Sequence, residues 1–243
     1  MQVKPIKTKI FKENEDLFSF VLEHIKKLPE KSVLVITSKI VALSESRTVK
    51  CKNEKEKAEL IKQESDFALK TKIVWMTIKD GMVLANAGID ESNAKGKIIL
   101  LPKDSFKSAD ILRKKLMQKF LIKHLGVLIT DSRLMPLRAG VVGIALGYAG
   151  FSGLRNYIGK KDIFDRVLKM SKTDIADSLA TSAVLCMGEG KEQQPLALIT
   201  DVPIIFVKKV QKNELIIDPK KDIYAPFFTS LKMIKFKNNA KRK

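Results

Sequence analysis

The stretch that decides the fold is Val127–Gly147, VLITDSRLMPLRAGVVGIALG. Its first four residues are apolar or β-branched without interruption, the pattern of a strand buried on both faces. The strand runs straight into Asp131 and Ser132, which sets a carboxylate and a hydroxyl at its carboxyl end. Ligands sit at that end in open α/β sheets, although an aspartate that merely opens a turn would look the same locally.

Outward from this stretch, similar runs predict strands at Ser32–Thr37, Lys72–Ile78, Ile98–Leu101, Leu196–Thr200 and Ile204–Lys208. Helical patterns lie between them. Asn14 can cap a helix whose Leu17, Phe18, Val21, Leu22, Ile25 and Leu28 form one stripe, ended by Pro29. Further helices fit Glu54–Leu69, Ser105–Leu121 and Thr173–Met187. The class is therefore α/β, or α+β mixed.

The chain has 243 residues, 45% hydrophobic and 30% charged, which predicts a self-sufficient globular fold of one or two domains. The longest uncharged stretch, Ala139–Leu154 between Arg138 and Arg155, falls short of the roughly 18–20 residues that span a bilayer. The first residues contain no signal-like apolar run, and Cys51 and Cys186 form no zinc spacing, so a reducing cytoplasm is expected.

A net charge of +19 raises nucleic acid as a partner, but only seven of the 46 basic residues are arginine, the residue that grips phosphates and guanines as a fork. The lysines are scattered apart from the tail Lys232–Lys243, which is expected to be unstructured. The charge excess is read as a solvated surface.

Six of the twelve glycines lie between Gly140 and Gly159. Tight packing, a bulged strand or ligand contact would each require small residues there. Gly153–Lys161 lacks the spacing of a phosphate loop, and no GxGxxG occurs. His24 and His124 read as structural, so neither a zinc site nor a serine-type triad assembles. Carboxylates remain: Asp131 with Ser132, Asp90 with Asn93 in ANAGIDESN (85–93), and Glu189 in MGEGK (187–191). Hard cations take oxygen ligands and often need only one or two carboxylates plus phosphate oxygens. Asx turns and a glycine helix cap would account for the second and third clusters equally simply.

Taken together, SKIVALSESR (38–47), DGMVLANAGIDESN (80–93), LLPKD (100–104), the 127–147 stretch, GLRNYIGKKDIFDR (153–166) and IADSLATSAVLCMGEG (175–190) resemble successive blocks of the coenzyme F420-0:L-glutamate ligase family. The resemblance spans about Val3–Lys208. It implies one ligase module over residues 1–238, with interwoven lobes near 1–80 plus 190–238 and 81–189, mixed sheets, an interlocked homodimer, and a basic tail at 239–243. It also implies a GTP-dependent, divalent-metal γ-glutamyl ligase using Mg²⁺ or Mn²⁺. The substrates would be L-glutamate and a deazaflavin or folate-like acceptor. Carried over by motif, Asp90, Asp131, Ser132 and Glu189 hold the metals. Ser38, Lys39, Asn93 and the segment Met187–Gln194, including Gly188 and Gly190, contact GTP, with main chain near Thr8–Phe11. Asp131, Asp90 and Lys39 are the residues closest to the chemistry.

The chain departs from the family wording in three places. Leu43 stands in place of a lysine and Ser46 in place of a glycine. The family reads DTFGRPWR where this chain has Asp131-Ser-Arg-Leu-Met-Pro-Leu-Arg138. These departures leave open a binding homologue without catalysis, and charge alone keeps a nucleic-acid binder in view.

Overall fold

Alternation within Ser32–Thr37 explains the centre of the molecule. In this computed structural model, which describes residues 1–94 and 96–230, Leu34 and Ile36 point into one core while Val33 and Val35 point into another. A strand covered on both faces needs no polar alternation, hence the unbroken SVLVIT run.

In chain order the elements are β1 (Gln2–Ile6), α1 (Leu17–His24), β2 (Ser32–Thr37), α2 (Ser38–Ser44), β3 (Thr48–Val49), α3 (Glu54–Gln63), β4 (Phe67–Lys70), β5 (Trp75–Lys79) and β6 (Met82–Ala85). There follow β7 (Ile98–Ile99), α4 (Ser105–Phe120), β8 (Leu125–Leu134), β9 (Val141–Ala149), β10 (Leu154–Asn156), β11 (Lys172–Asp174), α5 (Ile175–Met187), β12 (Leu196–Thr200) and α6 (Ala225–Ser230). The mixed α/β expectation holds.

The described residues pack as two compact units, one made of Met1–Arg47 with Pro102–Leu215 and the other of Thr48–Leu101 with the described residues from Ile216 on. The breaks fall at different places from the lobe boundaries expected near 80 and 190. No sequence pattern marks them, because each unit is closed by pairings between distant segments.

The first unit is built on a sheet of order β1-β12-β2-β8-β9, parallel only between β2 and β8. On one face α1 and α4 bring Phe20, Val21, Leu112 and Leu116 onto Leu34, Ile36, Val127 and Ile129. On the other, α5 lays Ala176, Leu179, Ala180 and Ala183 against Val33, Val35 and Leu128. That residue spacing is one face of a helix. Four of the six clustered glycines, Gly143, Gly147, Gly150 and Gly153, are packing positions: a Cβ on Gly143 would lie 2.4 Å from the Ala180 carbonyl oxygen, so α5 rests directly on the β9 backbone. Gly150 combines φ of +90° with a still closer Leu125 carbonyl.

The second unit contains a meander β4-β5-β6 and a short pair β3-β7. Thr77, fully buried, donates its hydroxyl to the Leu84 carbonyl and accepts from the Ala87 amide, which ties the meander to the tight turn Asn86–Gly88.

Several boundaries differ from the sequence reading. The helix expected over Glu54–Leu69 stops at Gln63, and β4 begins at Phe67, because Phe67–Lys70 pairs with Trp75–Ile78. Asp16, not Asn14, caps α1, its carboxylate accepting from the Ser19 amide at 2.8 Å; Asn14 adopts a left-handed φ of 65° instead. Ile204–Lys208 forms only one bridge, Phe206 to Phe151. His24 and His124 take structural roles, against the Phe20 carbonyl at 2.8 Å and Glu30 at 2.9 Å. The tail Lys232–Lys243 lies outside the described residues. No helix among the described residues is long and apolar enough to cross a membrane.

Candidate functional site

Strand register collects four distant segments at one end of the five-stranded sheet. β2 and β8 run parallel with Thr37 opposite Thr130, so Ser38 and Lys39 leave β2 where Asp131 and Ser132 continue β8. β12 is antiparallel and starts with Leu196 opposite Ile36, while β1 ends with Ile6 opposite Leu196. The segment before β12 and the segment after β1 therefore reach the same end. They are stitched there: the Thr8 amide donates to the Gln193 carbonyl at 2.9 Å, and the Thr37 amide to the Pro195 carbonyl at 3.0 Å.

Asp131 and Ser132 are placed by a bulge. Ile129 pairs with Gly147 but Thr130 with Ala145, so Leu146 is the extra residue of β9. Bulges of this kind re-aim the residues that follow. The Ser132 hydroxyl then donates to the Glu189 carboxylate at 2.5 Å, and its amide donates to the Asp131 carboxylate at 2.9 Å. Glu189 reaches that position because α5 ends at Met187, which is buried, and Gly188 turns the chain with φ of 81°. Gly190 donates its amide to Glu192 at 2.8 Å, folding the 187–194 segment on itself.

Thus Ser132 meets Glu189 with Asp131 next to it in the strand, and Ser38, Lys39, Thr8 and the segment Met187–Gln194 share their end of the sheet. Ser38 is buried as the first residue of α2. Asp90 and Asn93 belong to the second unit. There the Asp90 carboxylate accepts from the Ser92 amide at 2.6 Å, Asp90 bridges Ile99 through its backbone, and Asn93 has φ of 55°. Leu43 packs on the core formed by α1 and α4. Ser46 occupies a left-handed φ of 57°, which explains why glycine suits that position.

Asp131, Ser132 and Glu189 present only oxygen donors, the set that suits a hard divalent cation rather than a softer metal. Among the described residues no three His, Cys, Asp or Glu side chains gather into a metal-holding group. The residues fit a cation whose coordination is completed by ligand oxygens.

Beside these residues lies a cavity of about 480 Å³, and the sequence reading did not foresee it. Val142, Gly143 and Ile144 of β9 form one wall, Asp174, Asp177, Ser178 and Thr181 of α5 and its cap another, and Arg133 and Met135 a third. Asp174 caps α5, accepting from the Asp177 amide at 2.9 Å. Burial, reinforced by the charge of Asp177, lifts its carboxyl to about 6. Asp177 accepts from the Ala145 amide at 2.9 Å and faces Arg133 at 3.8 Å. The Arg133 Nε is fully buried and has no hydrogen-bond partner. Common residue types 41 to 44 positions apart leave no sequence signal for such a group.

A second buried network also escaped the sequence. Tyr148 donates to Glu214 at 2.7 Å, and Gly153 donates its amide to the same oxygen at 2.7 Å. Burial and that carboxylate push the Tyr148 phenol far above its ordinary value. The arrangement fastens the 207–215 segment to β9.

The sequence profile of the family F420-0:Gamma-glutamyl ligase matches residues 5–201. A protein of Methanococcus maripaludis strain C7 named coenzyme F420:L-glutamate ligase is 34% identical over 244 residues, covering 92% of this chain and 97% of its own length. One of the same name from Archaeoglobus fulgidus is 30% identical, covering 78% of this chain and 83% of its own length. One from Methanocaldococcus jannaschii is 43% identical over 53% of this chain and 51% of its own length. These matches show that the chain belongs to the F420-0:gamma-glutamyl ligase family.

Proposed function

We propose that this protein is a γ-glutamyl ligase of coenzyme F420 biosynthesis. It joins the amine of L-glutamate to the carboxylate of a deazaflavin precursor through an acyl phosphate, using GTP and Mg²⁺ or Mn²⁺. The observation that supports this most directly is the meeting of Asp131, Ser132 and Glu189 at the sheet end where Ser38 and Lys39 also emerge.

A carboxylate is a poor electrophile, so amide formation requires its phosphorylation first. That step transfers a phosphoryl group between oxygens, and its barrier is lowered by positioning and by positive charge rather than by a covalent enzyme intermediate. Asp131, Ser132 and Glu189 hold the cation; Mg²⁺ or Mn²⁺, when bound, neutralises charge on the phosphoryl group. Lys39, which follows β2, adds positive potential at the same end of the sheet. The 187–194 segment and the main chain after β1 hold the nucleotide. Asp90 and Asn93 join the metal and GTP contacts on the strength of the resemblance alone.

The protein works as a homodimer. Supporting this, the β10–β11 hairpin carries Ile163, Phe164 and Met170 at 91%, 84% and 87% exposure on an ordered loop, in which Asp162 accepts from the amides of Phe164 and Arg166 at 2.9 Å. A fixed, apolar, exposed projection is the kind of surface a second copy covers.

The test is incubation with GTP, Mn²⁺, L-glutamate and either the deazaflavin precursor or a folate, read by mass spectrometry. One added glutamyl unit and released GDP are expected with the deazaflavin and lost in Asp131→Asn. Product from the folate alone would move the acceptor to that class. No product from either would leave a binding homologue.

A further inference from the structure

The Arg133 guanidinium is held where it lacks a full set of partners. Its Nε is buried and unpartnered, Asp177 stands at 3.8 Å, and Nη2 touches the Met135 sulfur at 3.6 Å. The same cavity is lined by two carboxylates, Asp174 and the Asp177 that pairs with this one arginine. The Arg133 side chain keeps a quarter of its surface open, and its accessible guanidinium nitrogens suit a carboxylate, while a second carboxylate beside it suits an ammonium. An α-amino acid carries both groups on adjacent atoms.

The position of the cavity agrees with that ligand. Its β9 wall includes Ile144 and Gly143, the cross-strand partners of Asp131 and Ser132. Paired strands lie about 5 Å apart, so a ligand in the cavity sits one strand from the phosphoryl chemistry. We propose that this cavity is the L-glutamate subsite, with Arg133 binding a glutamate carboxylate and Asp177 with Asp174 facing its ammonium. The assignment rests on the ligase reading given above.

The motif this segment resembles, DTFGRPWR, has its first arginine at the position of Met135, and this chain has arginine two residues earlier. Both residues line the cavity and touch each other, so an arginine at 135 would place its guanidinium against the same cavity.

The test is steady-state ligation with the intact protein at varied L-glutamate. Arg133→Phe should raise KM for glutamate at least tenfold, with a smaller change in kcat and none in KM for GTP. The double variant Arg133→Phe with Met135→Arg should return KM to within about threefold of wild type, which a merely structural role for Arg133 would not produce. Unchanged KM for glutamate in Arg133→Phe, or a loss that Met135→Arg fails to rescue, overturns the subsite. Acceptor-dependent GDP release by the wild type, trapped with hydroxylamine without glutamate, reports on the ligase reading separately. If the wild type shows neither that release nor product, both readings fall; if it shows release and the variant keeps its KM, only the subsite does.

Discussion

The hydroxyl of Ser132 and the carboxylate of Glu189 meet at 2.5 Å although 57 positions separate them in the chain. The contact joins the end of β8 to the turn after α5, so the packing of α5 on the sheet decides whether the proposed cation ligands can act together.

Glu189→Gln should therefore lower ligation by about a hundredfold or more, since even an outer partner of a metal ligand is worth about 10–100-fold. Ser132→Ala should fall in the same direction and Ser132→Thr should keep most activity, because the hydroxyl is retained. Rate against Mn²⁺ concentration checks this. Glu189 is exposed, so the melting temperature of Glu189→Gln should stay close to that of wild type.

Asp174 makes stability depend on pH. Its carboxyl holds a proton more tightly folded than unfolded, rising from 3.8 to about 6 through burial. Its contribution is therefore fully present below pH 3.8 and is lost as pH rises through about 6. Asp174→Asn keeps a good helix cap and removes the titration. Relative to this variant, wild type should lose about 1 kcal/mol between pH 4 and 7, a figure reduced for solvent screening at a partly exposed group. Urea unfolding across that range measures it; parallel curves would assign the titration elsewhere.

Gly143 is the contact through which α5 rests on β9. Alanine there would put a methyl 2.4 Å from the Ala180 carbonyl oxygen, backbone that cannot rotate away. Gly143→Ala should cost about 2–3 kcal/mol by overpacking. It should also weaken glutamate use, because the helix that carries Asp174 and Asp177 must shift. Denaturation midpoint and KM for glutamate are the two readouts.

Phe164→Glu with Ile163→Asp should convert a dimer to a monomer on light scattering after size exclusion. Both side chains are over four-fifths exposed in the single chain, so the monomer fold should survive. A wild type that is monomeric at micromolar concentration would remove the dimer proposal.

Short-range information fixed the elements whose residues answer to one neighbour. The unbroken runs at 32–37 and 127–130 are strands because two cores cover them. Ser105–Phe120 is a helix capped by Asp104, which accepts from the Lys107 amide at 2.9 Å. The family wording likewise carried Asp131, Ser132 and Glu189, since motif order survives in a linear chain. Phe67–Lys70 escaped because its helix-compatible residues were claimed by pairing with β5, where tertiary contact overrides local propensity.

What the sequence determined by itself was the mixed class, the strand that ends in Asp131, and the family. What only the tertiary structure decided was adjacency: that Thr8, Ser38, Asp131 and Gln193 share one end of a sheet, and that Arg133, Asp174 and Asp177 line one cavity. The reason is physical. Adjacency is set by strand register and helix docking, which depend on apolar surfaces distant in the chain matching one another, and no single residue's chemistry encodes its partner.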